Sequence, residues 1–218
     1  MTTRRFAIGS GGAVALHALW ILAFLAAAAW FLAPGAVKAR DDRMVAFALH
    51  IVGGTVVLLT GPFQFVGAIR NRFPRYHRLA GYAFAGGSAA AILGFVLMQP
   101  VKPDTFFLSQ ATAILLWTLS LIAAVVAIRR RQVLAHQHNM ARAFVLAAYF
   151  VIVRVVDRYL MWTLAPVSSV EAARLAHSDW LAWVVPLVAV EIWFGLKWSQ
   201  ALYARRPRAS VDGAGPRR

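Results

Sequence analysis

The stretch LAGYAFAGGSAAAILGFVLMQPV, residues 79–101, contains no Asp, Glu, Lys or Arg. Three further stretches, residues 6–37, 44–69 and 105–128, also lack these four residue types. A helix needs roughly 20 apolar residues to cross a bilayer core of about 30 Å, and each of these stretches is longer than that. Because no water is available in the bilayer core, backbone groups must be hydrogen-bonded within the segment, which favours helices. The four stretches therefore predict a helical membrane protein.

The composition of the 218-residue chain supports the same class. Hydrophobic residues make up 61% and charged residues 14%, against about 45–50% and about 25% in typical soluble domains. The net charge of +15 would suggest a nucleic-acid partner in a soluble protein. Here the basic residues lie in short clusters between uncharged stretches, so we expect the lipid bilayer as the partner and no nucleic acid. The absence of cysteine excludes disulfides and Cys-ligated metals.

We predict one transmembrane domain over residues 1–200 and a disordered basic tail over 201–218. The domain is an all-α bundle of six spans, about residues 11–32, 44–69, 79–98, 105–128, 141–164 and 180–198. Pro62 lies inside the second span, where it should end or kink the helix near the inner surface. Gln64 could then satisfy the freed carbonyls or reach a ligand.

The positive charges predict the orientation of these spans. Sixteen of the 23 Lys and Arg residues fall on the side of the two termini, five on the other side and two inside the fifth span. Cytoplasmic loops carry the excess of positive charge, so both termini are expected in the cytoplasm. The expected location is the cytoplasmic (inner) membrane of a bacterium.

A histidine and several glycines share one side of the second span. His50 lies about six residues from the outer end, and Gly54, Val57 and Gly61 follow at helical spacing, with Gly53 alongside. Such a groove permits either close helix packing or the approach of a flat cofactor, and the sequence leaves both open.

Four charged residues lie well inside the fifth and sixth spans, away from the span ends, where ionisable groups are costly and often functional: Arg154, Asp157, Arg158 and Glu191. Depth along the spans predicts an ion pair between Arg154 and Glu191, and an outer polar cluster of His50 with Asp157 or Arg158. These groups either fix helix register or line a cavity for a proton, a substrate or a propionate.

Four histidines gather at the inner membrane surface: His17, His77, His136 and His138. Neutral imidazole is the commonest metal ligand, so this group could hold a metal or a haem iron. The alternative is that each histidine is an interfacial polar residue near a helix start.

Several motifs resemble those of an uncharacterised prokaryotic family of predicted membrane proteins, a domain of unknown function. They are the GPFQF segment at 61–65, then Arg70, then His77-Arg78-x-x-Gly81-Tyr82. His50 matches a histidine eleven residues before GPFQF, and a later His-x-x-Trp-Met-x-Arg element is matched by His136, Met140 and Arg142, with Asn139 in place of the tryptophan. The resemblance covers roughly residues 44–160 and implies the fold, but no activity. A more distant similarity, at the level of fold only, is to small b-type cytochromes.

Three hypotheses follow from these residues. The first is a protein that binds a redox cofactor such as haem b through His77 and His136, with His50 as a second candidate. Arg70, Arg78 and Arg142 would then neutralise propionates or contact a quinone-like redox partner. The second is a proton-coupled small-molecule transporter that uses Glu191, Arg154, Asp157 and His50. The third is a non-catalytic assembly protein.

Overall fold

The structure of the protein, a computed structural model, describes residues 43–99, 107–156 and 171–204, together with six helical positions between residues 12 and 26. All regular structure in these residues is helical. The helices are α1 (Met44–Thr60), a 3₁₀ turn (Pro62–Phe65), α2 (Gly67–Arg72), α3 (Pro74–Met98), α4 (Phe107–Arg129), α5 (Val133–Val155) and α6 (Glu171–Ala204).

Five of the described helical segments are long and apolar enough to cross a membrane. They correspond to the second to sixth predicted spans, and the expectation of an all-α membrane bundle is confirmed. The first predicted span, 11–32, lies mostly outside the described residues, although the six described positions within it are helical. The basic tail over 201–218 also lies almost entirely outside them.

The second predicted span is interrupted as its proline suggests. Helix α1 ends at Thr60, and Pro62 begins the 3₁₀ turn. The chain then reverses through the six-residue α2, and α3 begins with Pro74, which has no N–H to leave unpaired in a first helical turn. This reversal makes α1 and α3 antiparallel neighbours.

The fifth and sixth helices begin earlier than the sequence predicts. Helix α5 begins at Val133, eight residues before the predicted start, so His136 and His138 lie in its first two turns and not in a loop. Helix α6 begins at Glu171, which places His177 and Asp179 on a helix instead of in the outer loop. The predictions were wrong here because polar residues lower local hydropathy without preventing helix formation.

Glycines bring α1 and α3 into close contact. A Cβ at Gly53 would lie 2.5 Å from the carbonyl oxygen of Gly87, and a Cβ at Gly94 would lie 2.5 Å from the backbone nitrogen of His50. Small residues at such crossings let helix backbones approach closely. Of the two roles left open for the glycine groove, helix packing is the one observed at Gly53.

The centre of the bundle is filled by aromatic and small side chains. Trp117, Phe84, Leu146 and Tyr149 are almost completely buried and pack in one cluster across α3, α4 and α5. The outer surface carries many exposed Leu, Val, Ile and Trp side chains, the surface that a lipid environment requires.

Candidate functional site

A bidentate ion pair joins α5 and α6. The Arg142 guanidinium donates from Nε to Glu191 Oε1 at 2.5 Å and from Nη2 to Oε2 at 2.7 Å. His138 Nε2 lies 3.2 Å from each oxygen of the same carboxylate. One carboxylate therefore connects two residues that lie one helical turn apart on α5.

The predicted ion pair between Arg154 and Glu191 is wrong. Arg154 lies twelve residues beyond Arg142 on α5, which is about 18 Å at 1.5 Å per residue. The prediction placed the start of α5 eight residues too late, which shifts every residue along this helix by about 12 Å at 1.5 Å per residue and placed Arg154 too close to the membrane centre. In the structure Arg154 is exposed near the opposite end of the helix.

Asn139 orients the guanidinium of Arg142. Its Oδ1 accepts a hydrogen bond from Arg142 Nη1 at 3.2 Å, and its amide donates to the carbonyl of Ala135 at 2.9 Å. Asn139 stands where the resembling family usually has tryptophan. In this chain the position supports the ion pair by hydrogen bonding.

His138 is enclosed by aromatic rings as well as by the ion pair. It is only 6% exposed, stacks on Phe194 with ring centroids 4.5 Å apart, and meets the edge of Trp198 at 5.3 Å.

The residues in the described ranges form no group of three or more His, Cys, Asp or Glu side chains that could hold a metal. His17, the fourth histidine of the predicted group, lies outside those ranges, so its part in a metal site stays a prediction.

His77 and His136 lie near one another at the end of the bundle formed by the short turns. His136 and Arg70 are both within electrostatic range of the His77 imidazole. His136 Nδ1 lies 2.9 Å from the carbonyl oxygen of Ala124, so Nδ1 donates to this carbonyl and Nε2 is the ring nitrogen left for another contact. His77 Nδ1 is buried and has no hydrogen-bond partner among the described residues.

Gln64 belongs to the same end of the bundle. Its side chain approaches α3 at Gly81, where a Cβ would lie 3.6 Å from Gln64 Oε1. Its Nε2 is buried and, within the described part of the chain, has no hydrogen-bond partner. A buried donor without a partner costs about 1–3 kcal/mol, so both Gln64 and His77 carry polar atoms that a ligand or a water could satisfy.

A cavity of about 600 Å³ opens between the 3₁₀ turn, α2, α5 and α6. Two cationic, two amide and three aromatic side chains contribute to its lining. The described lining residues are Gln64, Phe65, Arg70, Gln137, Ala141, Ala189, Val190, Trp193, Phe194 and Lys197. Of the predicted site residues, the cavity therefore brings together Gln64 and Arg70.

His50 is held between α1 and α3. Its Nδ1 lies 2.9 Å from the carbonyl oxygen of Ala91, and its ring contacts Phe95 and Phe150. Its predicted neighbours Asp157 and Arg158 lie outside the described residues, so that outer cluster stays a prediction.

A second buried polar cluster, between α4, α5 and α6, was not predicted from the sequence. The Tyr149 hydroxyl donates to the Asp179 carboxylate, and Gln110 hydrogen-bonds to the same hydroxyl. Trp183 Nε1 donates to Ser109 Oγ at 3.0 Å. The sequence does contain one signal for this cluster. Asp179 and Trp183 are four residues apart, and residues four apart share one face of a helix. A helix that begins before Asp179 places both side chains on the face that packs into the bundle.

The geometry described so far defines the class of the protein. Five membrane-length helices, an apolar outer surface and an intramembrane ion pair identify a multi-pass helical membrane protein. The family model described as "Predicted membrane protein (DUF2306)" matches residues 47–194, and the chain belongs to this family. The matched range includes GPFQF, His77 and Arg142, which are among the residues on which the resemblance seen in the sequence rests. No match was found among curated proteins or among solved structures.

Proposed function

We propose that the protein binds a redox cofactor, b-type haem, through His77 and His136. The observation that carries this proposal is that His77 Nδ1 is buried with no hydrogen-bond partner among the described residues, so this nitrogen is available to bind iron, while the His136 imidazole lies within electrostatic range. Bis-histidine ligation requires two imidazoles from different helices at one depth. His77 belongs to α3 and His136 to α5, each within one turn of the helix start.

The hydrogen bond of His136 supports a ligand role. A ligating histidine usually donates its other ring N–H to a carbonyl or carboxylate, which fixes the ring and its tautomer. The bond from Nδ1 to the Ala124 carbonyl has this arrangement and leaves Nε2 available.

The cations near the histidines suggest how the propionates would be neutralised. Arg142 is fully engaged by Glu191, which removes it from the predicted set and leaves Arg70 and Arg78. Haem would supply one-electron transfer at this position, and a quinone or another membrane redox partner would exchange the electron. The chain's own residues would bind the iron, neutralise charge and exclude water.

A visible absorption spectrum tests the proposal. The full chain, expressed with 5-aminolevulinic acid and purified in mild detergent, should show a Soret band and sharp reduced α and β bands. His77→Ala and His136→Ala should each lose these bands, whereas His177→Ala, which changes an exposed histidine, should keep them. His50→Ala tests the second candidate ligand in the same way. Colourless wild-type protein, or bands that survive both ligand variants, would contradict the proposal.

A second candidate function is proton-coupled transport. The observation that favours it is the position of Glu191, an acid within a span that contacts both a histidine and an arginine. Reconstituted vesicles loaded with a pH-sensitive dye, challenged with a panel of small organic ions and sugars, should report solute-driven proton movement. Glu191→Gln should abolish this movement, and Arg72→Gln, which removes a charge from an exposed position on α2, should preserve it. Equal movement in wild type and Glu191→Gln would reject transport by this site.

We also propose a bacterial cytoplasmic-membrane location with both termini in the cytoplasm. The support is the distribution of positive charge, which the sequence divides 16 to five between the two sides and which stays one-sided, 15 to five, when Arg142 is counted inside α5. Alkaline phosphatase fused after residue 104 should be active, because that loop faces outward, and a fusion after residue 131 should be inactive. The reverse pattern would overturn the orientation.

A further inference from the structure

The cavity between the 3₁₀ turn, α2, α5 and α6 is lined by hydrogen-bond donors. Arg70 lies on α2 and Lys197 on α6, so two positive charges from different elements converge on one space. Gln137 adds an amide, and Gln64 contributes a buried Nε2 without a partner in the described part of the chain. None of the described lining residues is acidic.

The positive charge of Arg142 is compensated by an acidic side chain, whereas those of Arg70 and Lys197 are not compensated by any described acidic side chain. Glu191, the acid close to this region on α6, is already bound by Arg142 and His138. In the ranges that the structure describes, neither Arg70 nor Lys197 has an acidic side chain within ion-pair distance. Two like charges beside the unpaired Gln64 amide make a site that a bound anion would stabilise.

The remaining walls of the cavity are apolar and aromatic. Phe65, Trp193 and Phe194 face the same space, and the Lys197 ammonium lies 5.7 Å from the Phe194 ring centroid. The Trp193 side chain is 68% exposed. A small hydrated anion would use the donors and leave these walls in contact with water, whereas an amphiphile would cover both.

The cavity also lies at the boundary of the membrane-spanning segments. The 3₁₀ turn ends the first described span at Phe65, and Lys197 is three residues from the end of the last described span at Gln200. The phosphate groups of phospholipids are found at this level, and anionic headgroups attract Lys and Arg there.

We infer that this cavity binds the headgroup of an anionic phospholipid. The phosphate lies between Arg70 and Lys197 and accepts from the Gln64 and Gln137 amides, and the apolar part of the lipid lies against Phe65 and Trp193. This inference does not rest on haem binding, because His77 and His136 are not among the described lining residues and Lys197 has no part in the haem proposal. Arg70 takes part in both proposals, so Lys197→Gln and not Arg70→Gln separates them.

Native mass spectrometry of the full chain tests the inference. Purified protein is titrated with phosphatidylglycerol, with phosphatidylcholine of the same acyl chains, and with soluble glycerol phosphate. Phosphatidylglycerol should bind more tightly than phosphatidylcholine. Arg70→Gln and Lys197→Gln should each weaken its binding about five- to tenfold. Arg72→Gln removes the same charge from an exposed position on the same helix and should leave the affinity unchanged.

Two further measurements keep the inference falsifiable. Trp193→Ala should weaken phosphatidylglycerol binding, and glycerol phosphate should not displace the lipid at equal concentration. Equal binding of the two lipids, equal effects of Arg72→Gln and Lys197→Gln, or displacement by glycerol phosphate would each overturn it. The Soret band recorded on the same samples separates the two proposals, because Lys197→Gln should change lipid binding alone and His77→Ala should change the spectrum alone.

Discussion

The carboxylate of Glu191 on α6 is held on both oxygens by the single guanidinium of Arg142 on α5, at 2.5 and 2.7 Å. A bidentate pair of this kind fixes direction as well as distance, because the guanidinium fork and the carboxylate are both planar. It therefore sets the register of α5 against α6. His138 strengthens the connection from one turn earlier on α5.

Breaking this pair should destabilise the protein. We expect Arg142→Gln to lower the free energy of unfolding by about 1–3 kcal/mol, since it leaves Glu191 without its charged donor. Glu191→Gln should have a similar effect. Because the partners act together, the double variant should cost less than the sum of the two single changes, with a coupling of about 0.5–3 kcal/mol. Unfolding in SDS-containing mixed micelles, followed by circular dichroism, measures these differences.

Arg154→Gln supplies the matched control for this cycle. Arg154 carries the same charge on the same helix but lies twelve residues from Arg142. Combined with Glu191→Gln, its effect should be additive within about 0.5 kcal/mol. A strong coupling of Arg154 with Glu191, and none of Arg142 with Glu191, would contradict the observed geometry.

Two adjacent glycines on α1 should respond in opposite ways to the same substitution. A Cβ at Gly53 would lie 2.5 Å from the Gly87 oxygen and 2.6 Å from the Ala91 nitrogen, and neither backbone atom can move without separating the helices. Gly53→Ala should therefore destabilise by about 1–3 kcal/mol. At Gly54 nothing lies within 4 Å of the added Cβ, so Gly54→Ala should be neutral or stabilise by up to about 1 kcal/mol through helix propensity. Thermal unfolding of both variants measures the contrast, and equal effects would reject the close crossing.

The fold could be predicted from the sequence because the apolar stretches are long. The lengths of residues 79–98 and 105–128 alone require membrane-crossing helices, and Pro62 marks the end of α1 correctly. The start of α5 could not be found in this way. His136, His138 and Arg142 make its first turns polar, yet they remain helical because each finds a partner in Ala124 or Glu191.

Only part of the candidate site could be predicted from the sequence. Hydropathy gives the approximate depth of a residue but not the direction of its side chain, so Glu191 was paired with the wrong arginine. Gln64 and Arg70 were recognised from their motifs. Lys197 was counted only as a topology signal, because its convergence with Arg70 depends on how α6 packs beside α2 and α5.

The hydroxyl of Tyr149 should contribute to stability through Asp179. Asp179 is only 4% exposed, and its second oxygen has no partner in the described residues. Tyr149→Phe would remove the donor to the first oxygen and should cost about 1–3 kcal/mol. Tyr82→Phe, which alters a side chain that is 77% exposed, should change the free energy of unfolding by less than about 0.5 kcal/mol. Equal values for the two variants would show that the buried hydroxyl is not needed.

The hydrogen bond of His50 should contribute less to the α1–α3 contact than the glycines do. His50→Leu removes the bond from Nδ1 to the Ala91 carbonyl but keeps an apolar side chain against Phe95 and Phe150. Hydrogen bonds between membrane helices contribute on average about 0.6 kcal/mol and at most about 1.7. We therefore expect a loss in this range, smaller than that of Gly53→Ala. Thr118→Val removes a bond to a carbonyl of its own helix, Ile114, and should cost less still. If His50→Leu costs more than Gly53→Ala in the same unfolding assay, polar bonding and not close packing holds α1 against α3.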